Sequence, residues 1–171
     1  TSGQDGTSEI DADQVTAELG QIIDRLTRPG GPAEGHCIGG VALDTFASSM
    51  VVVDGDGYTL TSCMTYADSR PHEYVSVLRA EIDETELLQQ VGTRIHTSYW
   101  PARLRWLQAE HADVVEKAAH YLSLGDYVLR EFTGTLATGT ASAAWTGMVD
   151  LRTADWSGEI LELAGIDRSS L

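Results

Sequence analysis

Residues 65–74, "TYADSRPHEY", crowd Asp68, Ser69, Arg70, His72 and Glu73 together after a run of alternating and β-branched residues. Asp68 and Arg70 are two positions apart, so on an extended chain their side chains share a face. A carboxylate accepts from hydroxyls, and a guanidinium donates, often bidentately, to carboxylate or phosphate oxygens. Together they could hold a polyhydroxylated acid. Their chemistry alone favours the plainer alternative, a local ion pair or a solvated loop. A second stretch, "HTSYWPARLRW" at 96–106, sets Tyr99 and Trp100 before a helix start, with Arg103 one turn in. Aromatic faces pack on the C–H faces of sugars, and helix N-termini attract anions. Trp100, Leu104, Trp106 and Leu107 read instead as core. A third stretch, "GTASAAWTGMVDLRTADWSGEILELAGI" at 139–166, runs small residues into an aromatic-anchored helix and reads as a tightly packed turn.

Other reactive residue types do not assemble by spacing. His36, His72, His96, His111 and His120 form no ligand pattern, and no zinc-spaced set, Walker motif or dinucleotide fingerprint occurs. A metal site built from side chains is not expected. "GQDGTSE", residues 3–9, has the glycines and hydroxyls of a phosphate loop but no preceding apolar strand and no Lys. It reads as a polar, frayed N-terminus. Cys37 and Cys63 lie in apolar contexts and read as buried free thiols.

The 171 residues fit one domain or a large piece of one, and 42% hydrophobic content is enough for a core. A net charge of −15 argues against nucleic acid and anionic membrane as partners, because both repel an acidic protein. No apolar run approaches membrane-spanning length, and residues 1–13 have no signal-peptide core. The expected location is cytoplasmic.

Val15, Leu19, Ile22, Ile23 and Leu26 fall at helical spacing over 12–27, with Asp11 or Asp13 as cap. His36–Leu43 reads as a buried strand with close-packing glycines. Ser49–Asp54 and Tyr58–Thr61 read as a hairpin joined by "GDG", and a further short strand ends near Tyr66. Helices are expected at 71–80, 84–91, 101–110, 112–120 and 122–132, with Pro101 in a first turn capped by Thr97 or Ser98. A loop follows, then a last helix over Trp156–Ala164 ended by Gly165. The order divides the chain into a helix plus strands (12–66), a helical insertion (71–133), and a loop with a C-terminal helix (139–171). The fold class is α/β with an antiparallel component.

"YADSR", "HTSYWPARLRWL", "GDYVLREFTG" and "GTASAAWTGMVDLRTADWSGEILELAGI" occur in this order. In order and spacing they resemble the FGGY carbohydrate kinases, and most the gluconokinase-type bacterial members, from about Glu9 to the last residue. The resemblance implies a partial actin-like ATPase, ribonuclease H-like domain with a mixed sheet and a helical insertion. It further implies the sugar-binding part of an ATP-dependent kinase acting on a sugar, polyol or sugar acid. A D-x-G-T turn is expected upstream of Thr1, and a G-D segment carrying the general base beyond Leu171. The chain is thus expected to be a fragment holding no catalytic residue, with ATP and Mg2+ bound mainly by other parts. A sugar-binding module that keeps the fold without catalysis is the other reading.

By the same resemblance Asp68 and Arg70 fall at the sugar edge, and Tyr99 at the aromatic position that contacts the polyol. Thr45, Phe46 and Ser48 fall on one wall, with His96, Ser98 and Arg103 behind. Departures from the pattern are Ala47 and Ser48 where a Trp-His pair is usual, Trp145 where Gly is usual, and Arg103 where Lys is usual. The expected partners are a small-molecule sugar or sugar acid and a second copy of the chain, paired through uncovered sheet edges.

Overall fold

The computed structural model describes residues 1–171. Strand β1 (Glu9–Ile10) leads into α1 (Ala12–Thr27), whose first turn is capped by Asp11 accepting from the Gln14 N–H at 2.9 Å. Strands β2 (Val51–Val53) and β3 (Cys63–Met64) follow, then helices α2 (His72–Glu81), α3 (Glu84–Val91), α4 (Trp100–Glu110) and α5 (Ala112–Lys117). Strand β4 (His120–Leu122), α6 (Leu124–Thr133), α7 (Thr140–Ala144), the hairpin β5 (Val149–Asp150) and β6 (Asp155–Trp156), and α8 (Gly158–Ala164) complete the order.

The strand β2 is the spine. It pairs antiparallel with β4 (Val51↔Leu122, Val53↔His120), and on its other edge Met50 bridges Met64 of β3, which pairs with β1. The sheet order is therefore β1–β3–β2–β4. Val51, Val52 and Val53 are all buried because both faces are covered. The two-residue period sends Met50 and Val52 into a cluster with Leu78, Leu87, Trp100, Leu104, Leu107 and Ile160. Val51 and Val53 go to the other side, with Ala12, Leu124, Tyr127 and Val128. Helices α2, α3, α4 and α8 thus cover one face, while α1 and α6 cover the other.

Several expectations are corrected. His36–Leu43 is irregular and exposed, with Val41 83% accessible: no strand pairs with its backbone, and β-branching alone does not hold a strand. Tyr58–Thr61 turns back on β2 as expected but forms no regular strand: it joins β2 through the Val53↔Thr59 bridge, with the Leu60 N–H on the Val52 carbonyl at 2.8 Å and the Asp54 N–H on the Tyr58 carbonyl at 3.0 Å, and through the Thr61 hydroxyl, which accepts from the Val52 N–H at 3.1 Å. The helix expected over 112–120 stops at Lys117, because His120–Leu122 is drawn into the sheet by β2. Residues 3–9 are not frayed. The Asp5 carboxylate caps its own turn at the Thr7 N–H, the Gly6 carbonyl accepts from the Ser69 N–H, and Ser2 bridges Ser8. Backbone and hydroxyl bonds from Thr7 hold the Asp5 carboxyl below its ordinary range. Helix α4 is capped by neither Thr97 nor Ser98; Tyr99 occupies that position without a side-chain bond. Cys63 is buried as expected, but Cys37 is exposed. The last helix begins at Gly158, capped by the Ser157 hydroxyl, because Trp156 belongs to the β5–β6 hairpin.

Candidate functional site

The N-terminal end of α4 is where the chain's scattered loops meet. Pro101 suits the first turn, where its missing N–H has no partner to lose. Trp100 is buried; its indole N–H donates to the Ser49 carbonyl at 3.0 Å and its backbone N–H to the Thr146 carbonyl at 2.9 Å. One turn later Arg103 is wholly enclosed. Its Nε donates to the Thr97 carbonyl at 2.9 Å, its Nη2 to the Thr65 carbonyl at 2.6 Å, and its Nη1 to the Ser48 carbonyl. One planar fork therefore ties three loops to one helix, a geometry that a Lys ammonium does not reproduce. Burial pushes the guanidinium down to about 10, with the Asp68 charge acting in opposition.

Further bonds close the frame. The Ser48 hydroxyl donates to the Trp145 carbonyl at 2.6 Å, and the Ser98 hydroxyl to the Tyr66 carbonyl at 2.8 Å. His96 Nδ1 accepts from the Ser98 N–H at 3.1 Å, which assigns the neutral ring's proton to Nε2. Gly147, at φ 79°, lies against Tyr99: a Cβ there would stand 3.2 Å from the Tyr99 Cβ and 3.0 Å from the Thr93 hydroxyl. Only glycine fits that close approach without strain. The loops at 45–49, 65–70, 96–99 and 145–147 thus form one rim. Phe46, Tyr66 and Trp145 are exposed on it, with His96 beside them, while Tyr99 is half-buried. Thr45 adjoins the start of α6, its hydroxyl against Gly125.

Asp68 is fully buried and takes part through its charge. Its Oδ2 accepts from the Ser8 N–H at 3.0 Å and from Arg70 Nη2 at 2.7 Å; its Oδ1 accepts from Arg70 Nε at 3.0 Å. Arg70 also pairs with Glu9 and stacks over the Trp106 ring, 4.7 Å from its centroid. Burial alone would lower the Arg70 guanidinium; the bonds to Asp68 and Glu9 outweigh it and hold it above its ordinary value. On that side lies a 210 Å³ cavity between Glu9, Thr61, Ser62, Arg70, Trp106 and His111.

The structure thus gathers Ser48, Ser98 and Arg103 into one hydrogen-bonded frame, with His96, Tyr99, Thr45 and Phe46 adjoining. Asp68 sits behind that frame, and Arg70 faces Glu9 and Trp106. The partners Ser8 and Glu9 went unseen in the sequence because they lie about sixty positions from Asp68 and Arg70; no local spacing signals a contact that the β1–β3 pairing creates. No group of three or more His, Cys, Asp or Glu side chains is placed to hold a metal ion. The rim offers aromatic faces, an imidazole and exposed backbone, which suits recognition of a small hydroxylated molecule.

Residues 1–171 match the FGGY family of carbohydrate kinases, N-terminal domain. The chain is 26% identical over 126 residues to the gluconokinase of Bacillus subtilis (strain 168), covering 74% of this chain and 25% of that protein. It is 30% identical over 129 residues to the autoinducer-2 kinase of Klebsiella pneumoniae, covering 74% and 24%. The xylulose kinase of Rhodospirillum rubrum superposes with a TM-score of 0.93 at 24% identity over 99% of this chain and 35% of that one. The chain therefore spans about a quarter to a third of the proteins it matches. The fold is the actin-like ATPase fold of these sugar kinases.

Proposed function

The chain belongs to the FGGY family of carbohydrate kinases, and from that premise we propose that it forms the sugar-binding part of an ATP-dependent kinase. The kinase transfers a phosphoryl group to a hydroxyl of a sugar, polyol or sugar acid. The observation that carries this reading is the Arg103 fork, which gathers three separate loops around the head of α4 and leaves an aromatic rim facing outward. Tyr99 contacts the polyol, and Thr45, Phe46 and Ser48 form the adjoining wall. Arg103 and Ser98 position these residues from behind, and His96 presents its Nε2–H at the edge. Asp68 and Arg70 act by fixing the 65–70 loop against β1.

Phosphoryl transfer depends on positioning, metal and charge stabilisation. The residues of this rim do not fit a nucleotide–metal group: the Arg103 donors are engaged by carbonyls, Arg70 is engaged by carboxylates, and no carboxylate cluster is present. We therefore assign ATP and Mg2+ to other parts of the kinase and derive no step through them. The chain alone is inactive on this account. A cytoplasmic location follows from the metabolic role, and no helix is long and apolar enough to cross a membrane.

The test is a protein that carries this domain together with the rest of its kinase. It releases ADP from ATP only when a suitable carbohydrate is present, and Tyr99→Ala raises KM. ADP release independent of any carbohydrate contradicts the assignment. A second reading is a sugar-binding module without phosphotransfer. It is favoured by the Ser48 hydroxyl, which is held by the Trp145 carbonyl rather than left for a ligand. Sugar binding without turnover in the complete protein selects it.

A further inference from the structure

Taking this rim as a carbohydrate site, we propose that it accepts a neutral carbohydrate in its ring form, with Trp145 as the stacking platform that decides the choice. The proposal rests on the reading above and narrows it.

Trp145 is held at its backbone and free at its side chain. Its carbonyl accepts from Ser48 at 2.6 Å, and the next residue's carbonyl accepts from the Trp100 N–H at 2.9 Å. The backbone at Trp145 and at the residue after it is therefore fixed to the site frame, yet the indole is 53% exposed. Trp100 and Trp106, by contrast, are buried in the core. A rigid aromatic face costs little side-chain entropy to use, and it matches the contiguous C–H surface of a sugar ring. An open-chain polyol presents no such surface until several torsions are frozen.

Ser48 contributes to the same end. It is one of two non-glycine residues at positive φ, 56°, and is held there by Arg103 at its carbonyl and Trp145 at its hydroxyl. That conformation is costly for an L-residue, and its result here is a fixed Trp145 backbone. Ala47 beside it brings no donor, so the wall favours contact over hydrogen bonding.

Charge disfavours an acid. A ligand carboxylate is best met by a free guanidinium. Arg103 is filled by three carbonyls and Arg70 by Asp68 and Glu9, while the 66% exposed Arg94 has only a 3.6 Å contact with Glu84. Asp44, two residues before Phe46, is exposed and has no ion-pair partner. A net charge of −15 adds a repulsive background.

The experiment titrates the chain calorimetrically with matched compounds: D-glucose, D-glucitol and D-gluconate, then D-xylose, xylitol and D-xylonate. Each set shares hydroxyl stereochemistry and varies ring and charge separately. Wild type binds at least one ring sugar more tightly than its alditol and aldonate. Trp145→Gly weakens that sugar on the order of tenfold and leaves the alditol unchanged, while Trp145→Phe retains most of the preference. Unfolding midpoints of the variants separate a binding loss from a folding loss. An aldonate that binds as tightly as its sugar overturns the neutral-ring assignment. An unchanged sugar-to-alditol ratio in Trp145→Gly overturns the role of Trp145. Absence of binding by every compound removes the carbohydrate site itself, an outcome distinct from either selective failure.

Discussion

The Ser48 carbonyl and the Arg103 guanidinium are hydrogen-bonded to each other, 55 residues apart, inside the protein. The same guanidinium holds Thr65 and Thr97, so its removal takes a donor from three carbonyls, of which Thr65 keeps only the Asp68 N–H at 3.1 Å. Arg103→Met should destabilise the chain by about 2–4 kcal/mol, and Arg103→Lys should recover less than half of that, because an ammonium lacks the planar fork. Urea denaturation reads both. A loss within about 0.5 kcal/mol would show that the fork holds nothing.

Asp68 and Arg70 should be energetically coupled. The carboxylate is fully buried, whereas Glu9 and Arg70 keep partial access to solvent. Asp68→Asn keeps the shape, removes the charge and should cost about 1–3 kcal/mol. Glu9→Gln should cost less. A double-mutant cycle with Arg70→Met should give a coupling above about 1 kcal/mol between positions 68 and 70, and additivity would contradict the pairing.

Cys63 makes stability fall at alkaline pH. Burial raises its thiol from 9.0 to about 12. Between those values the unfolded thiol ionises while the native thiol keeps its proton, so the native state binds more protons and stability falls as pH rises. The wild-type urea midpoint should therefore drop more steeply between pH 9 and 12 than that of Cys63→Ala; equal slopes would refute this. Thiol labelling gives a companion readout: Cys37 reacts in the native protein, and Cys63 reacts only on unfolding.

The parts of the fold that were legible in the sequence are those set by local chemistry. Residues 84–91 form a helix with the expected bounds, because Asp83 caps the start and Gly92, at φ 74°, ends it. The long first helix follows its apolar period and the Asp11 cap. Pairing was less legible. His120–Leu122 continues a helical pattern, yet β2 recruits it as an edge strand. His36–Leu43 has strand composition but no neighbour. At the site, Tyr99, Ser48 and Arg103 were marked by motif order. What Arg103 does was hidden, because its partners are backbone carbonyls, which every residue has. Trp145 was visible only as a departure at a glycine position; the bond that ties its carbonyl to Ser48, 97 positions away, has no local signal.

Self-association should follow from the uncovered apolar surface. Ile22, Ile23 and Leu26 on α1, Ile38, Val41 and Leu43 on the irregular segment, and Leu129 and Phe132 on α6 are all exposed. Apolar patches and unpaired backbone of this kind recruit another chain, and we propose a homodimer formed through them. Sedimentation velocity should show a dimer that Ile38→Lys with Val41→Lys dissociates. A wild-type monomer at high micromolar concentration would contradict it.

The central claim is that the rim at the head of α4 is a carbohydrate site. The most direct test is the equilibrium titration of the chain with neutral sugars in the absence of ATP, repeated on Tyr99→Ala. The account predicts saturable binding by wild type and at least an approximately tenfold loss in the variant, with the unfolding midpoint preserved. Failure of every sugar to bind, or equal affinity in wild type and Tyr99→Ala, would contradict it.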